Sequence, residues 1–302
     1  MDKTALGDRM KNYYEAVPKT FLMRRTPVIT RLDGKSFHSF TRGFKKPFDD
    51  ILIKTMQETM KYLCENIQGC VLGYTQSDEI TLVLVDYFKI DTDAWFGYNV
   101  QKVVSVSASM ATLSFNNAFK RYVSELIPMD LSNSSKADIK YYNALDKAIL
   151  KGAFFDSRCF NIPKEEVNNC LLWRQQDATR NSIQALAQSL YPHKQIEGID
   201  TKKLQDKMFT EKGINWNDLE TTKKRGSCCI KIPTEIITPN GEKVIRNKWT
   251  IDNEIPIFSQ DTEYVNNLII PTGKAFGAYW FIWRYKYGRW RKENNGWFSK
   301  SN

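Results

Sequence analysis

The chain has 302 residues, of which 42% are hydrophobic and 26% charged, with a net charge of +10 at pH 7. That composition excludes disordered and collagen-like classes, and the length is enough to bury a sizeable core in one large domain or two smaller ones. No apolar run approaches a membrane span, and the start Met1-Asp2-Lys3-Thr4 opens no signal-like segment, so a cytoplasmic protein without membrane partners is expected. Six cysteines without a C-x-x-C pair, beside only two histidines, argue for reduced thiols and against a zinc site. The positive balance favours a polyanionic partner.

In chain order, Leu6, Met10, Tyr13 and Tyr14 recur at helical spacing until Pro18 ends the pattern. Residues 26–32 are rich in β-branched side chains and read as a first strand that delivers Asp33. A loop of about ten to fifteen residues follows, long enough to be functional, with Lys35, His38, Arg42, Lys45 and Lys46 on it. Asp49 reads as the N-cap of a helix with an apolar face from Leu52 to Ile67, stopped at Gly69. Residues 70–74 and 80–85 form a hairpin whose acidic tip, residues 76–79, lies beside Asp33. A helix over about 97–122 follows; residues 124–150 read as mixed and polar, with a loop at Ser132-Asn133-Ser134-Ser135, and residues 153–162 as a fourth strand bearing Asp156 and Arg158. The order β-α-β-β-α-β is the split ferredoxin-like motif used by polymerase palms and nucleotide cyclases, which sets the fold class as α+β without giving function.

Pro163, at a first helical position, opens a helix to about Tyr191. Trp173, Arg174, Asp177, Arg180 and Asn181 share one side of it, either as a salt-bridged surface or as a binding face. Residues 201–212 form a short amphipathic helix ended by Gly213. The basic cluster Lys223, Lys224 and Arg225 leads into a strand at 228–232, and Pro239-Asn240-Gly241-Glu242 marks a hairpin turn with its return strand at Trp249-Thr250-Ile251-Asp252. Irregular cover follows from Pro256 to Pro271. From Trp280 to Trp297, aromatic and basic residues interleave, a pattern that fits RNA stacking and equally a packed terminal strand pair. The expected division is a palm-like catalytic domain over 1–162, a helical and strand region over 163–232, and a C-terminal β-rich extension with a basic-aromatic tail over 233–302.

Two sets of residues stand where apolar runs stop: Asp33-Gly34-Lys35-Ser36-Phe37-His38 and Gln76-Ser77-Asp78-Glu79. Carboxylates on adjacent strand ends can hold two hard cations that clamp a triphosphate and an attacking oxygen. Gly34 admits an ion or phosphate close to the backbone, and amides after it with a lysine beyond suit a triphosphate, although the G-x-x-x-x-G-K spacing is absent. Taken singly, Asp-Gly is a turn and Ser-Asp-Glu a solvated loop.

Taken in order, Asp33-Gly34, Phe37-His38, Phe44-Lys45-Lys46-Pro47-Phe48-Asp49, Gln76-Ser77-Asp78-Glu79, Phe155-Asp156-Ser157-Arg158, Trp173-Arg174-Gln175-Gln176-Asp177 and Lys224-Arg225-Gly226 form a specific motif string. Over about residues 5–230 it resembles the histidine-tRNA guanylyltransferase family, 3′–5′ polymerases that add nucleotides to the 5′ end of tRNA. The resemblance implies two Mg2+ ions held by Asp33, Asp78 and the Gly34 carbonyl, with Glu79 as a catalytic metal neighbour or a support of the hairpin. It implies Gly34, Lys35, Ser36, Phe37, His38 and Ser77 around the incoming nucleotide, and Lys46 and Asp49 from the family's Lys-Pro-x-Asp element. The tRNA contacts expected are Arg158, Arg174, Asn181, Lys223, Lys224 and Arg225. ATP or GTP activates a 5′-monophosphorylated tRNA in this family, the 3′-hydroxyl of an incoming nucleotide attacks the activated end, and members are generally homotetramers.

One departure sets the expected branch. Eukaryotic members that act on histidine tRNA carry His-Ile-Asn-Asn-Leu-Tyr-Asn after the Trp-Arg-Gln-x-Asp element; this chain has Thr179-Arg180-Asn181-Ser182-Ile183-Gln184-Ala185. That is similar to the guanylyltransferase-like branch, which repairs 5′-truncated tRNA by templated addition. Template-dependent repair is therefore the expected function. Guanylate addition to histidine tRNA, an inactive tRNA-binding protein and a palm-type cyclase are the alternatives.

Overall fold

The computed structural model describes residues 5–270 apart from 129, 131, 133 and 239. The basic-aromatic tail expected over 280–297 lies outside the described residues, as do Asn133 and Pro239 of two expected turns.

A six-stranded antiparallel sheet organises the chain. Its strands are β1 (Val28–Gly34), β2 (Cys70–Gln76), β3 (Glu79–Leu84), β4 (Phe155–Asn161), β5 (Ser227–Ile237) and β6 (Lys243–Asp252), in spatial order β4-β1-β3-β2-β5-β6. The four strands β4-β1-β3-β2 are the split β-α-β-β-α-β arrangement expected from the sequence, and β5–β6 extend the same sheet.

Period-two alternation sends the two sides of each strand into two cores. Val28, Leu32, Ile80 and Leu82 pack on Met56, Met60 and Leu63 of α3 (Asp50–Asn66) and on Phe115 and Phe119 of α4 (Val100–Leu126). Ile29, Leu72 and Val83 pack on Val167 and Leu171 of α6 (Lys164–Leu190) and on Tyr264 and Val265 of α9 (Glu263–Ile269). Double cover explains why all six residues of β3 are buried and why it reads as a continuous apolar run rather than an alternating one. A third, smaller core joins Ile183, Leu186 and Ala187 of α6 to Leu204 and Met208 of α7 (Thr201–Lys212), which starts at the Asp200 cap and ends at Gly213.

Several boundaries differ from expectation. The segment read as mixed and polar contains α5 (Lys136–Lys151), capped by Ser135, whose Oγ accepts the Asp138 N–H at 3.1 Å. Only Tyr141, Leu145 and Ala148 of α5 are buried, a stripe too narrow to stand out among its lysines. The helix α4 begins three residues later than expected because Asn99 caps it, its Oδ1 accepting the Lys102 N–H at 3.0 Å. Pro163 sits at the N-cap of α6, one position earlier than read, and α3 ends at Asn66, before Gly69. The N-terminal helix α1 (Ala5–Met10) buries none of its residues. No helix among the described residues is long and apolar enough to cross a membrane.

Candidate active site

Strand register builds the site. In the β1–β3 ladder Asp33 stands opposite Glu79, so β1 ends where the β2–β3 hairpin turns. The hairpin loop is the pair Ser77-Asp78, with Ser77 at φ 50°, and the Gly34 N–H donates to the Asp78 carbonyl at 3.0 Å. Asp33 and Asp78 are thereby fixed at one end of the central strands by backbone pairing, not by long side chains. Ser77 Oγ donates to Asp78 Oδ1 at 3.0 Å. Burial raises the Asp78 pKa; the Ser77 hydrogen bond opposes this, and the neighbouring Asp33 charge adds to it. Asp156 lies opposite Asp33 on the other side, in β4, where Arg158 pairs with it at 2.7 Å.

Glu79 is engaged elsewhere. It is buried, and Arg174 Nε donates to its Oε1 at 2.6 Å. The Arg174 guanidinium also holds Asp177 at 2.8 Å, and Arg180 holds the other Asp177 oxygen at 2.8 Å. Burial raises the Glu79 pKa and the Arg174 charge opposes it. Of the two roles expected for Glu79, the geometry fits the support of the hairpin. Arg174, expected on tRNA, is 7% exposed with its guanidinium occupied by two carboxylates, and its face lies against Trp173 at 4.4 Å. Arg31 approaches the same indole at 5.4 Å. The salt-bridged reading of this side of α6 is the one the contacts fit.

After Gly34 the chain turns into α2 (Phe37–Phe40). Lys35, Ser36 and His38 are exposed, as a phosphate-binding loop requires. Phe37 is not: its ring is buried against Phe40, Phe115 and Phe155 at centroid distances of 5.1 to 5.4 Å. Its side chain belongs to the core, which leaves only its backbone for a nucleotide. A Cβ at Gly34 would overlap that ring, so close packing demands glycine here independently of any ligand.

Asp49 also has a structural task. Oδ1 accepts the Leu52 N–H at 3.0 Å, and Oδ2 accepts the Lys45 N–H at 3.1 Å and the Tyr141 hydroxyl at 2.8 Å. Its buried carboxylate caps α3 and ties down the preceding loop, which presents the exposed Lys46. Asp49 also lines the cleft beside the hairpin tip, with both carboxylate oxygens already engaged within the protein.

A cleft of about 160 Å³ opens beside the hairpin tip, lined by Pro47, Ser77, Asn181, Lys223 and Arg225 among others. It joins the hairpin to α6 and to α8 (Thr221–Arg225). Lys223 pairs with Asp50 at 3.3 Å and Glu220 at 3.2 Å, and Lys224 Nζ donates to the Asn217 carbonyl at 2.6 Å. Arg225 is half-buried and donates to the Ile255 carbonyl at 3.3 Å. Asn181, Lys223, Lys224 and Arg225 are thus brought together around the cleft beside Ser77, while Arg158, on β4 next to β1, is held by Asp156 and also feels the charges of Asp33 and Glu79, all of which raise its pKa. The sequence reading missed the tie from Tyr141 to Asp49, because α5 itself was not visible as a helix.

Three comparisons identify the lineage. A family model for tRNAHis guanylyltransferase matches residues 7–163, over half of the chain. The structure of a bacterial tRNA(His) guanylyltransferase-like protein in complex with ATP is 41% identical, with a TM-score of 0.72, covering 89% of this chain and 100% of that one. A bacterial protein of the same description in complex with GTP is 39% identical, with a TM-score of 0.69, covering 88% of this chain and 99% of that one. Such coverage runs past residue 230, where the motif string ends. The probable tRNA(His) guanylyltransferase of Dictyostelium discoideum is 25% identical over 227 residues, 71% of this chain and 78% of its own length. By family match, shared fold and the motif string around Asp33 and Asp78, the chain belongs to the tRNAHis guanylyltransferase family.

Proposed function

We propose that the protein is a 3′–5′ nucleotidyltransferase that restores missing nucleotides at the 5′ end of truncated tRNA, copying the opposite strand. The observation that carries this reading is the Asp33–Asp78 pair, set on adjacent strand ends by the Gly34–Asp78 backbone hydrogen bond. Higher identity to the bacterial guanylyltransferase-like structures than to the Dictyostelium relative supports the repair branch. So does Ser182, at the place of the second asparagine in the histidine-tRNA enzymes: it is buried, donates to the Lys223 carbonyl at 2.6 Å and accepts the Trp216 indole N–H at 3.0 Å.

The donor set fits magnesium. Mg2+ is bound through one or two carboxylates with waters and substrate phosphates completing its shell. Among the described residues no group of three or more His, Cys, Asp or Glu could hold an ion by itself; a site on the Asp33–Asp78 pair would need nucleotide phosphates and water to complete it. Asp33, Asp78 and the Gly34 carbonyl would hold two ions, which when bound supply activation of the attacking hydroxyl and neutralisation of the phosphates. Exposed Lys35, His38 and Lys46 place positive charge or hydrogen-bond donors beside the triphosphate and its leaving group. On this reading an oxygen of the tRNA 5′ phosphate displaces pyrophosphate from ATP or GTP, and the 3′-hydroxyl of the incoming nucleotide then attacks the activated 5′ phosphorus and releases the nucleoside monophosphate; where the end already carries a triphosphate, pyrophosphate departs instead. The protein supplies position and charge and needs no covalent nucleophile.

The partners on this reading are tRNA and nucleoside triphosphates, the compartment is the cytoplasm, and the assembly is a homotetramer. Exposed Tyr13, Tyr14 and Val17 offer apolar surface of the kind an assembly covers.

The test uses a 5′-monophosphorylated tRNA lacking its first nucleotide, with ATP and all four NTPs, and a second tRNA in which the opposing base is swapped. Addition that follows the swap supports repair. Guanylate addition to full-length histidine tRNA alone, dependent on its anticodon, establishes the other family activity instead. Binding of either tRNA with no addition makes the protein a tRNA-binding module.

A further inference from the structure

A second basic surface lies on the other side of the nucleotide loop. A cleft of about 560 Å³ separates α2 from α5 and is lined by Ser39, Arg42, Lys136, Lys140, Lys147 and Lys151. At 3.6 residues per turn the four lysines of α5 fall within an arc of about 60°. The acidic residues of α5 lie outside that arc: Asp138 is turned about 200° from Lys136 and bonds Ser135, and Asp146 lies about 80° beyond the arc's Lys136 edge. Arg42 and all four lysines are exposed. Among the described residues none of the five is ion-paired; Lys151 Nζ donates only to Ser39 Oγ, at 2.9 Å. Five unneutralised cations facing one cleft repel one another and are stabilised by an anionic ligand.

The cleft is built rather than incidental. Gly43, at φ 91°, forms part of its floor, and a Cβ there would come within 2.9 Å of the Ala144 Cβ of α5. The Tyr141–Asp49 hydrogen bond and Lys45, 4.8 Å over the Tyr141 ring, lock α5 to the loop that carries Lys46. Ser39 follows His38 directly, so the cleft starts where the nucleotide loop ends.

We infer that this cleft is a binding track for the sugar-phosphate backbone of the RNA substrate, distinct from the nucleotide site. Length argues for a polynucleotide over a second triphosphate. Lys136 and Lys151 are fifteen residues apart, about 22 Å along the helix, which is about six phosphates of one strand. With no aromatic side chain exposed along the α5 arc to stack a base, the contact is to phosphate and independent of sequence. The inference rests on the reading of the protein as an RNA-directed enzyme.

The experiment compares wild type with Lys136→Gln/Lys140→Gln/Lys147→Gln and with the matching triple arginine variant. Three quantities are measured: tRNA affinity against salt, ATP affinity alone, and nucleotide addition by wild type. The glutamine variant should bind tRNA about tenfold more weakly, with the slope of log affinity against log salt smaller by about two. Arginines should restore both, and ATP affinity should stay unchanged. Unaltered tRNA affinity and slope in a folded glutamine variant would overturn the proposal, and so would a loss confined to ATP, which would make the cleft a triphosphate site. Wild type that binds tRNA with this salt dependence yet adds no nucleotide leaves the track intact and overturns the proposed activity.

Discussion

Two charged regions flank the Asp33–Asp78 pair, and they differ in what their charges are doing. On the α6 side, Glu79, Arg174, Asp177 and Arg180 form a chain of contacts at 2.6 to 2.8 Å, with Arg174 and Glu79 buried. On the loop side, Lys35, His38, Arg42 and Lys46 are exposed, and the lysines of α5 continue the same field. Both regions carry motif residues. The first uses them on itself, to hold the hairpin tip in place; the second leaves them exposed, where the proposed function needs them for an anion. A charged residue in a motif therefore counts as a ligand contact only once its partners within the protein are known.

Substitutions can break this contrast. If Asp33 holds the metal as proposed, Asp33→Ala should lower the rate of nucleotide addition by about 10³ with little change in unfolding free energy. Arg174→Ala should do the reverse: with Glu79 left buried and unpaired, chemical denaturation should show a loss of about 3 to 5 kcal/mol. Asp49→Ala, which removes a helix cap and two further hydrogen bonds, should cost about 2 kcal/mol by the same measurement. Lys46→Ala should raise KM for the nucleoside triphosphate about tenfold and leave the melting temperature alone.

The smallest effect concerns pH. Burial lifts the Asp78 pKa above the ordinary carboxylate value, so the folded protein holds that proton more tightly than the unfolded chain does. Without a cation, stability should therefore fall as pH rises from the ordinary value through the elevated one. Cation affinity, which needs the ionised carboxylate, should rise over the same window. Asp78→Asn should flatten both profiles, measured by thermal unfolding with and without Mg2+.

The palm topology was legible because its strands are strongly apolar and its turns carry Gly34 and the Ser77-Asp78 pair. The placement of Asp33 beside the hairpin tip followed from that order. Helix α5 was not legible, since three buried positions among many charges carry a weak periodic signal. Nor was the core task of Phe37, and although the cap at Asp49 and a salt-bridged Arg174 were readable, the distant partners that complete them were not. Each has the residue type its expected ligand role requires, and each is occupied by a partner far away in sequence: Phe115, Tyr141 and Glu79 respectively. Sequence order shows which residues stand near a strand end; the tertiary partner decides which of them remain available.

The most direct measurement is single-turnover nucleotide addition to a truncated tRNA by Asp78→Asn and by Glu79→Gln, normalised to folded protein. Asp78→Asn should be inactive and, without a cation, at least as stable as wild type. Glu79→Gln should retain addition while losing stability, because it weakens the grip of Arg174. A folded Glu79→Gln as inactive as Asp78→Asn, or an active Asp78→Asn, would contradict the assignment of the chemistry to Asp33 and Asp78.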